Sequence, residues 1–558
     1  MSINPLRQPK RLFPTSFSVA AAIGAVFGVW FIGLRNFFPW NYEWLYSRGD
    51  GALTQLSFEY FRQSPLAQWP LTAVPKYIEG SKMILPTENA VANLVGKVVG
   101  QFIDGNFQII GVWIVVCFAL QAYFGAKLLN LFLATNTVVV LGSLFFVLSP
   151  ALLYRIGAMN HYHLGAHWMF LFAMCLYFDK KSRTKSWSSL LAFAMLTSVY
   201  IAAMLLALFA AQQLKSFLVY SRVNLKDLAL PIAAAGFGFW VMGYLSMRSS
   251  ITGLNFFRLN AFAYINPGFN STESFSLLIN LFAPNRLRSV LAEDWESFQY
   301  LGTVTLIGVV FGVLIMIKKI RLIEWRIYTP IAVAVSLLFL FALSNRIYVF
   351  QAEFTYWWPN QLLDFRQVFR GATRFAWPAY YALMLFAIVQ FANLSSRYRK
   401  PWLFPLVVIM MVLESSPGFL STHNQMNKSL EYVSSLNDPT WKRIVRQNKQ
   451  VAIYPNFDLQ IGQLSKVSDA WENRWFDIAK FASDNDMATN FGYAPRPLTT
   501  YTTEQDEQVL RELQYGTLRK NVIYIVAIRS LWKQVIVDHS DRVIPFDLDG
   551  LYVLIAKD

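Results

Sequence analysis

The sequence predicts a polytopic α-helical membrane protein of about 11 spans with an α/β domain at its C-terminal end. Three observations carry this. Of the 558 residues, 55% are hydrophobic and only 15% are charged, whereas a soluble domain carries about 25% charged residues. The mean hydropathy is +0.36. Apolar residues also gather into segments close to the roughly 20 residues that a membrane crossing needs, until Gly418, beyond which the chain turns polar.

The first expected span, 15–35, follows Arg7, Lys10 and Arg11. That charge order resembles a signal peptide, but the segment is long and lacks a clear small-residue cleavage site, so it reads as a retained helix. Further spans are expected at 106–124, 136–153, 164–179, 229–247, 301–317, 327–344, 375–394 and 401–417. Residues 188–217 are too short for two full spans and long for one. Lys180, Lys181, Arg183 and Lys185 precede this piece, and Arg222 and Lys226 follow it. Both flanks favour the cytoplasm. Two short helices, 188–198 and 200–217, turning near Tyr200, satisfy both flanks.

The same register puts Lys318, Lys319, Arg321 and Arg326, and then Arg397, Arg399 and Lys400, on the N-terminal side. The outer side receives 37–105, 154–163, 248–300 and 345–374. The predicted organisation is thus a membrane module, 1–417, with major outer loops 37–105, 248–300 and 345–374, followed by a periplasmic domain, 418–558.

Net charge supports that division. The 49 basic and 33 acidic residues split into 16 and 17 in the tail, against 33 and 16 in the remainder. The excess of +16 therefore belongs to the membrane part, where loop charge sets orientation. No basic run is interleaved with aromatics over a polar domain, so nucleic acid is not an expected partner. Cys117 and Cys175 both fall within apolar spans and make no disulfide framework. The absence of disulfides and of a eukaryotic sorting signal points to a bacterial inner membrane.

Two runs in the first outer loop are amphipathic at helical spacing. Leu53 to Arg62 carries Leu53, Leu56, Tyr60 and Phe61; Glu88 to Phe102 carries Val91, Leu94, Val95, Val98 and Val99. Both read as helices at the membrane interface, with packing against neighbouring spans as the alternative. In the tail, Val451–Tyr454, Val522–Val526 and Leu551–Ile555 read as strands. Trp475–Phe481 and Glu504–Leu513 read as helices, the latter capped by Thr502 and Thr503. No phosphate loop or nucleophile elbow occurs there.

The candidate chemistry lies in three clusters. The first is acidic. Asp50 sits in Tyr46-Ser47-Arg48-Gly49-Asp50-Gly51, straight after the first span, with Glu43 and Glu59 nearby. The flanking glycines let the backbone bend and another molecule come close. A second acidic run, Glu293-Asp294-Trp295-Glu296, lies just before a span. Carboxylates from two loops meeting in one cavity can divide roles, one as base and one as a second acid or substrate ligand. Ion pairing of Glu296 with nearby arginines is the competing reading.

The second cluster is basic. Arg366, Arg370 and Arg374 recur every four residues, and on a helix they share a face suited to phosphate. Gly371 can break that helix. The third is Asn160-His161-Tyr162-His163, with His167 one turn on. His161 and His163 are candidates for substrate binding or proton movement. No Cys/His/carboxylate set at metal spacing accompanies them, so no metal site is assigned.

These features together resemble the GT-C class of integral-membrane glycosyltransferases. The layout matches along the whole chain: a carboxylate just after span one, interfacial helices in that loop, a short mid-chain helix pair and an outer C-terminal domain. The local matches are Gly49-Asp50 followed by Phe58-Glu59-Tyr60-Phe61-Arg62 and Ser64-Pro65; Pro150 through Arg155 to His161; Glu296 to Gly302; and Phe369-Arg370-Gly371 to Trp377-Pro378. The resemblance implies a polyprenyl-phosphate-linked sugar donor used on the outer face, with Asp50 corresponding to the base on the acceptor hydroxyl. Many members carry two adjacent acids. This chain has one between two glycines, which points away from a divalent metal, and no cofactor is expected.

The expected reaction is a single inverting displacement. Arg370 and Arg374, helped by Arg366, hold the lipid phosphate while Asp50 deprotonates an acceptor hydroxyl on a glycan or lipid-linked acceptor. A flippase of lipid-linked sugars, a non-catalytic component of polysaccharide assembly and a membrane acyltransferase are the rival readings.

Overall fold

The eleven apolar segments all become helices, but they differ in length. The computed structural model describes residues 14–46, 49–71, 73–74, 83–84, 89–103, 105–179, 183–221, 223–246, 259–268, 274–282, 295–349, 352–362, 369, 371–428, 432–455, 474–490 and 499–557. Among them, six helices are long and apolar enough to cross a membrane: Thr15–Ile32, Ile110–Leu129, Val199–Tyr220, Trp325–Leu343, Ala372–Arg397 and Leu403–Asn427. A bent pair, Asn136–Val147 and Pro150–Ala158, breaks by 43° and makes a seventh if it crosses as one span.

The expected total of about 11 is therefore not reached at full length. Trp168–Phe178, Thr184–Thr197, Leu225–Val241 and Thr303–Lys318 have 11, 14, 17 and 16 residues. The mid-chain pair is also unequal. Its second member, Val199–Tyr220, is a full 22 residues.

The described chain divides into two units. The first comprises residues 1–41, 108–238 and 251–429 and holds the long apolar helices. Close packing there uses small residues, as expected where lipid supplies no hydrophobic drive between helices. A side chain at Gly24 would stand 2.4 Å from the Phe118 carbonyl oxygen, and one at Gly312 would stand 2.5 Å from the Phe386 ring. The last helix outruns its expected end at 417 by ten residues. Pro417 has no N–H for the Leu413 carbonyl four residues back. The Ser416 hydroxyl replaces it at 2.7 Å, so the helix continues.

The second unit joins the C-terminal segment from Leu430 to two pieces expected in the membrane module, 42–107 and 239–250. Its five-stranded sheet runs in the order Ala488–Thr489, Gln450–Tyr454, Val522–Val526, Leu551–Ala556, Val543–Leu548. The first three strands are parallel and the last two close an antiparallel hairpin. Asp549 and Gly550 form its two-residue turn, both at positive φ (51° and 77°), the geometry favoured by the sheet's twist.

Alternate strand residues point to opposite faces. Val451, Ile453, Ile523, Ile525 and Val553 pack on one side with Trp441 and Ile444 and with Ile478 and Ala479. Ala452, Val522, Tyr524, Val526 and Leu554 pack on the other with Val509, Leu513 and Val535. Burial on both faces explains why Val522–Val526 is apolar throughout. The expected helices 475–481 and 504–513 are present as Arg474–Asp484 and Thr499–Gln514. The latter starts ahead of Thr502, so Thr502 and Thr503 lie inside it rather than capping it.

The two amphipathic runs of the first outer loop part company. Asp50–Gln63 is a helix whose Ala52, Leu56 and Tyr60 enter the first sheet face, and Tyr60 donates to the Ala479 carbonyl at 2.9 Å. It is a core element, not an interfacial one, because the sheet supplies the apolar partner that its face requires. Ala90–Val99 behaves differently. Val95, Val98 and Val99 are exposed, while Asn93 and Lys97 turn inward. Lys97 donates to Ser64 Oγ at 2.6 Å and to the Pro65 carbonyl at 2.7 Å, and sits 4.2 Å from the Phe61 ring centroid. Burial lowers its ammonium pKa to about 8.

Candidate functional site

Three breaks in helical geometry bring the charged residues of the first unit together. Pro150–Leu153 runs into a π-helical turn, Tyr154–Ala158, which carries Arg155. Such turns re-aim side chains and recur at functional positions. Glu296 sits on the short 3₁₀ turn Trp295–Ser297, and Arg374 on the 3₁₀ segment Ala372–Ala376. Pro378, second residue of the helix Trp377–Arg397, cannot donate back to Arg374. The three-arginine helical face is therefore not continuous through Arg374. Arg366 and Arg370 lie outside the described residues.

Glu296 is the centre of this group and is 1% exposed. Arg155, completely buried, donates from one guanidinium nitrogen to its Oε2 and from another to its main-chain carbonyl, both at 2.5 Å. Arg374 donates to Oε1 at 2.6 Å and to Oε2 at 3.3 Å. Thr373 Oγ1 donates to the Glu296 carbonyl at 3.1 Å. His161 Nδ1 lies 4.0 Å from Oε1, and the His163 ring is 6.2 Å from that of His161. The Tyr200 ring lies 4.7 Å from the Arg374 guanidinium carbon.

Burial alone would raise the Glu296 carboxyl, but the charges of Arg155 and Arg374 outweigh it and hold the group well below the usual carboxylate range. The structure thus gives Glu296 the ion-pair role. Both of its carboxylate oxygens accept from guanidinium nitrogens. Two guanidiniums against one carboxylate give this trio, among the described residues, a formal charge of +1.

The structure brings Glu296, Arg374 and His161 together with Arg155, and places His163 beside them. Glu43 and Asp50 belong to the second unit. Glu43 is exposed at the start of the short helix Glu43–Tyr46. Asp50, half-buried, is the first residue of helix Asp50–Gln63, where a carboxylate favours the helix dipole. The Thr54 hydroxyl donates to its main-chain carbonyl at 2.9 Å. Gly49 enters this helix at φ 46°, ψ −113°. Space around it is open, so backbone conformation, not crowding, requires the glycine. Glu59 is buried and accepts from Tyr46 and from Gln55 Nε2 at 3.1 Å.

Reading the sequence missed three residues. Arg155 is a lone charge within an apolar run, itself a signal of internal function or pairing. Tyr200 bears no motif. Glu414 is buried within the last apolar helix and accepts from Tyr300 and Thr303 hydroxyls, each at 2.8 Å. His167, completely buried, shares a hydrogen bond with the Tyr381 hydroxyl at 2.7 Å. Among the described residues, no three His, Cys, Asp or Glu side chains gather closely enough to hold a metal ion.

No curated protein matches the chain. A family model described as DUF6311 C-terminal domain matches residues 440–556, which contain the whole five-stranded sheet. A second, described as Domain of unknown function (DUF6311), matches residues 21–414. It spans Asp50, Arg155, His161, Glu296 and Arg374, and on its extent the chain belongs to the DUF6311 family.

Proposed function

We propose that this protein is a membrane glycosyltransferase of the GT-C kind, moving a sugar from a polyprenyl-phosphate donor to an acceptor hydroxyl. The observation that carries the reading is the buried Arg155–Glu296–Arg374 centre. Its net positive charge suits the phosphate of a lipid-linked donor, and Glu296 fixes the Arg374 guanidinium through two of its nitrogens. Preorganised cations lose little on reaction and stabilise charge that develops on a leaving group. Arg374, with Arg366 and Arg370 beside it in sequence, is assigned the donor phosphate, and His161 and His163 the substrate around it. Asp50 is assigned the base that takes the acceptor's proton. The displacement is direct, inverting the anomeric centre and releasing the polyprenyl phosphate.

The same reading puts the reaction on the outer face of a bacterial inner membrane, with the shorter helices completing about 11 passages and the C-terminal sheet domain in the periplasm. The exposed Val95, Val98 and Val99 face is assigned to the membrane interface. Purified full-length protein, offered a panel of polyprenyl-phosphate sugars and glycan acceptors, should release lipid phosphate. Asp50→Asn should bind donor but lower release by about 10²–10⁴-fold. Arg374→Gln should weaken donor binding instead. Full turnover in Asp50→Asn would remove the base assignment, and unchanged donor affinity in Arg374→Gln would remove the phosphate role.

A transport reading has one specific support, the 43° break ahead of the buried Arg155. Discontinuous helices mark the binding sites of many transporters. Vesicle translocation of the donor without sugar transfer would favour it.

A further inference from the structure

A second polar site lies along the same helix that carries Tyr200. A cavity of about 340 Å³ opens beside the C-terminal turns of Val199–Tyr220 and the first turns of Thr184–Thr197 and Leu225–Val241. That volume is in the range of small-molecule sites. Its residue Gln212 is twelve positions from Tyr200, about 18 Å along the helix axis at 1.5 Å per residue. The cavity is therefore separate from the Glu296 centre. Trp187 and Tyr220 are on its wall, residue types that gather at the membrane–water boundary.

Its lining holds charges of both signs. Arg183 and Asp179 bridge each other at 2.9 Å near the rim. The other two charges differ. Lys215, 7% exposed, donates to the Tyr177 carbonyl and lies 4.5 Å from the Tyr177 ring centroid. Among the described residues it forms no ion pair. Asp227 accepts from the Thr184 hydroxyl and likewise forms no ion pair among the described residues. The Oε1 of Gln212, a residue 8% exposed, is buried with no hydrogen-bond partner among them. Lys215 and Gln212 lie three positions apart on Val199–Tyr220, and Asp227 lines the same cavity from Leu225–Val241, as does Asp179, whose charge reaches Lys215. A buried ammonium and a bare buried carbonyl oxygen are costly unless a ligand completes them.

We propose that this cavity seats a zwitterionic phosphoethanolamine headgroup of a membrane phospholipid. Its phosphate meets Lys215, and its primary ammonium donates to Asp227 and Gln212 Oε1. An anionic headgroup would leave Asp227 unanswered. A quaternary ammonium carries no N–H for Gln212.

Native mass spectrometry of the delipidated full-length protein tests this, using short-chain phosphatidylethanolamine, phosphatidylglycerol, phosphatidylcholine and inorganic phosphate as separate probes. Wild type should hold phosphatidylethanolamine about tenfold more tightly than either other lipid, the effect of one charge-assisted hydrogen bond. Asp227→Asn, at a half-buried helix start, should remain folded and lose that preference. Lys215→Met should weaken all three lipids. If that variant does not fold, Asp227→Asn decides alone. Equal retention of the three lipids by wild type would mean general lipid contact and overturn the proposal. So would an undiminished preference in Asp227→Asn. Displacement of the lipid by inorganic phosphate at equal concentration would overturn it in favour of a free-anion site.

Discussion

Glu296 and Glu59 are both carboxylates almost wholly withdrawn from water, 1% and 2% exposed, yet their surroundings push them in opposite directions. Around Glu296, two guanidiniums overcome burial and keep the carboxyl ionised. Around Glu59, burial dominates. Hydrogen bonds from Tyr46 and Gln55 and the charge of Lys480 only partly oppose it, and the pKa is raised. The Tyr46 phenol is in turn pushed well up, first by burial and then by the Glu59 charge, so it remains a donor. At the same depth, the formal charge of the partners decides which way a buried acid shifts.

The largest effect that sharpens this contrast is expected from Glu296→Gln. It strands two buried guanidiniums and should cost roughly 3–5 kcal/mol, read as thermal unfolding in detergent. A loss near zero would mean that the trio is not a charge centre. Arg155→Met should cost less, about 1–3 kcal/mol, because Arg374 still neutralises Glu296. An equal or larger loss than Glu296→Gln would break that ranking.

Glu59→Gln should go the other way. A folded pKa above the unfolded value gives stability that is present below the unfolded pKa and lost as pH rises through the folded one. Wild type should therefore lose stability relative to Glu59→Gln as pH climbs above the ordinary carboxylate range. Melting temperatures compared at pH 5 and pH 8 check the sign. A difference that grows toward acid pH would contradict it. The smallest effect is on the hairpin. Gly550→Ala, at φ 77°, should cost about 1–2 kcal/mol, seen as a lower melting temperature of the full chain.

What the sequence disclosed follows from how local each signal is. Apolar segments near span length announced five of the six long helices, the sixth, Val199–Tyr220, having been expected as a short one, and β-branched runs announced three of the sheet's strands. Val543–Leu548 was missed although Asp549-Gly550, the strongest short hairpin signal, follows it directly. Helical spacing showed that Leu56 and Tyr60 share an apolar face, but not that strands some 400 residues away would cover it. Periodicity names a face and never its partner. For the candidate site, Arg374, Glu296, His161 and His163 were visible as types and positions. Their partner Arg155 was visible as the end of the Pro150–Arg155 run and as a charge out of place, with no role assigned to it. The three-arginine face required one continuous helix; Gly371 already marked a break in it, and Pro378 was not counted.

The most direct test of the proposed reaction is release of polyprenyl phosphate by purified wild-type protein beside Asp50→Asn and Arg374→Gln. The account predicts release by wild type, donor binding without release in Asp50→Asn, and weakened donor binding in Arg374→Gln. Equal release by wild type and Asp50→Asn, with unchanged donor affinity in Arg374→Gln, would contradict it.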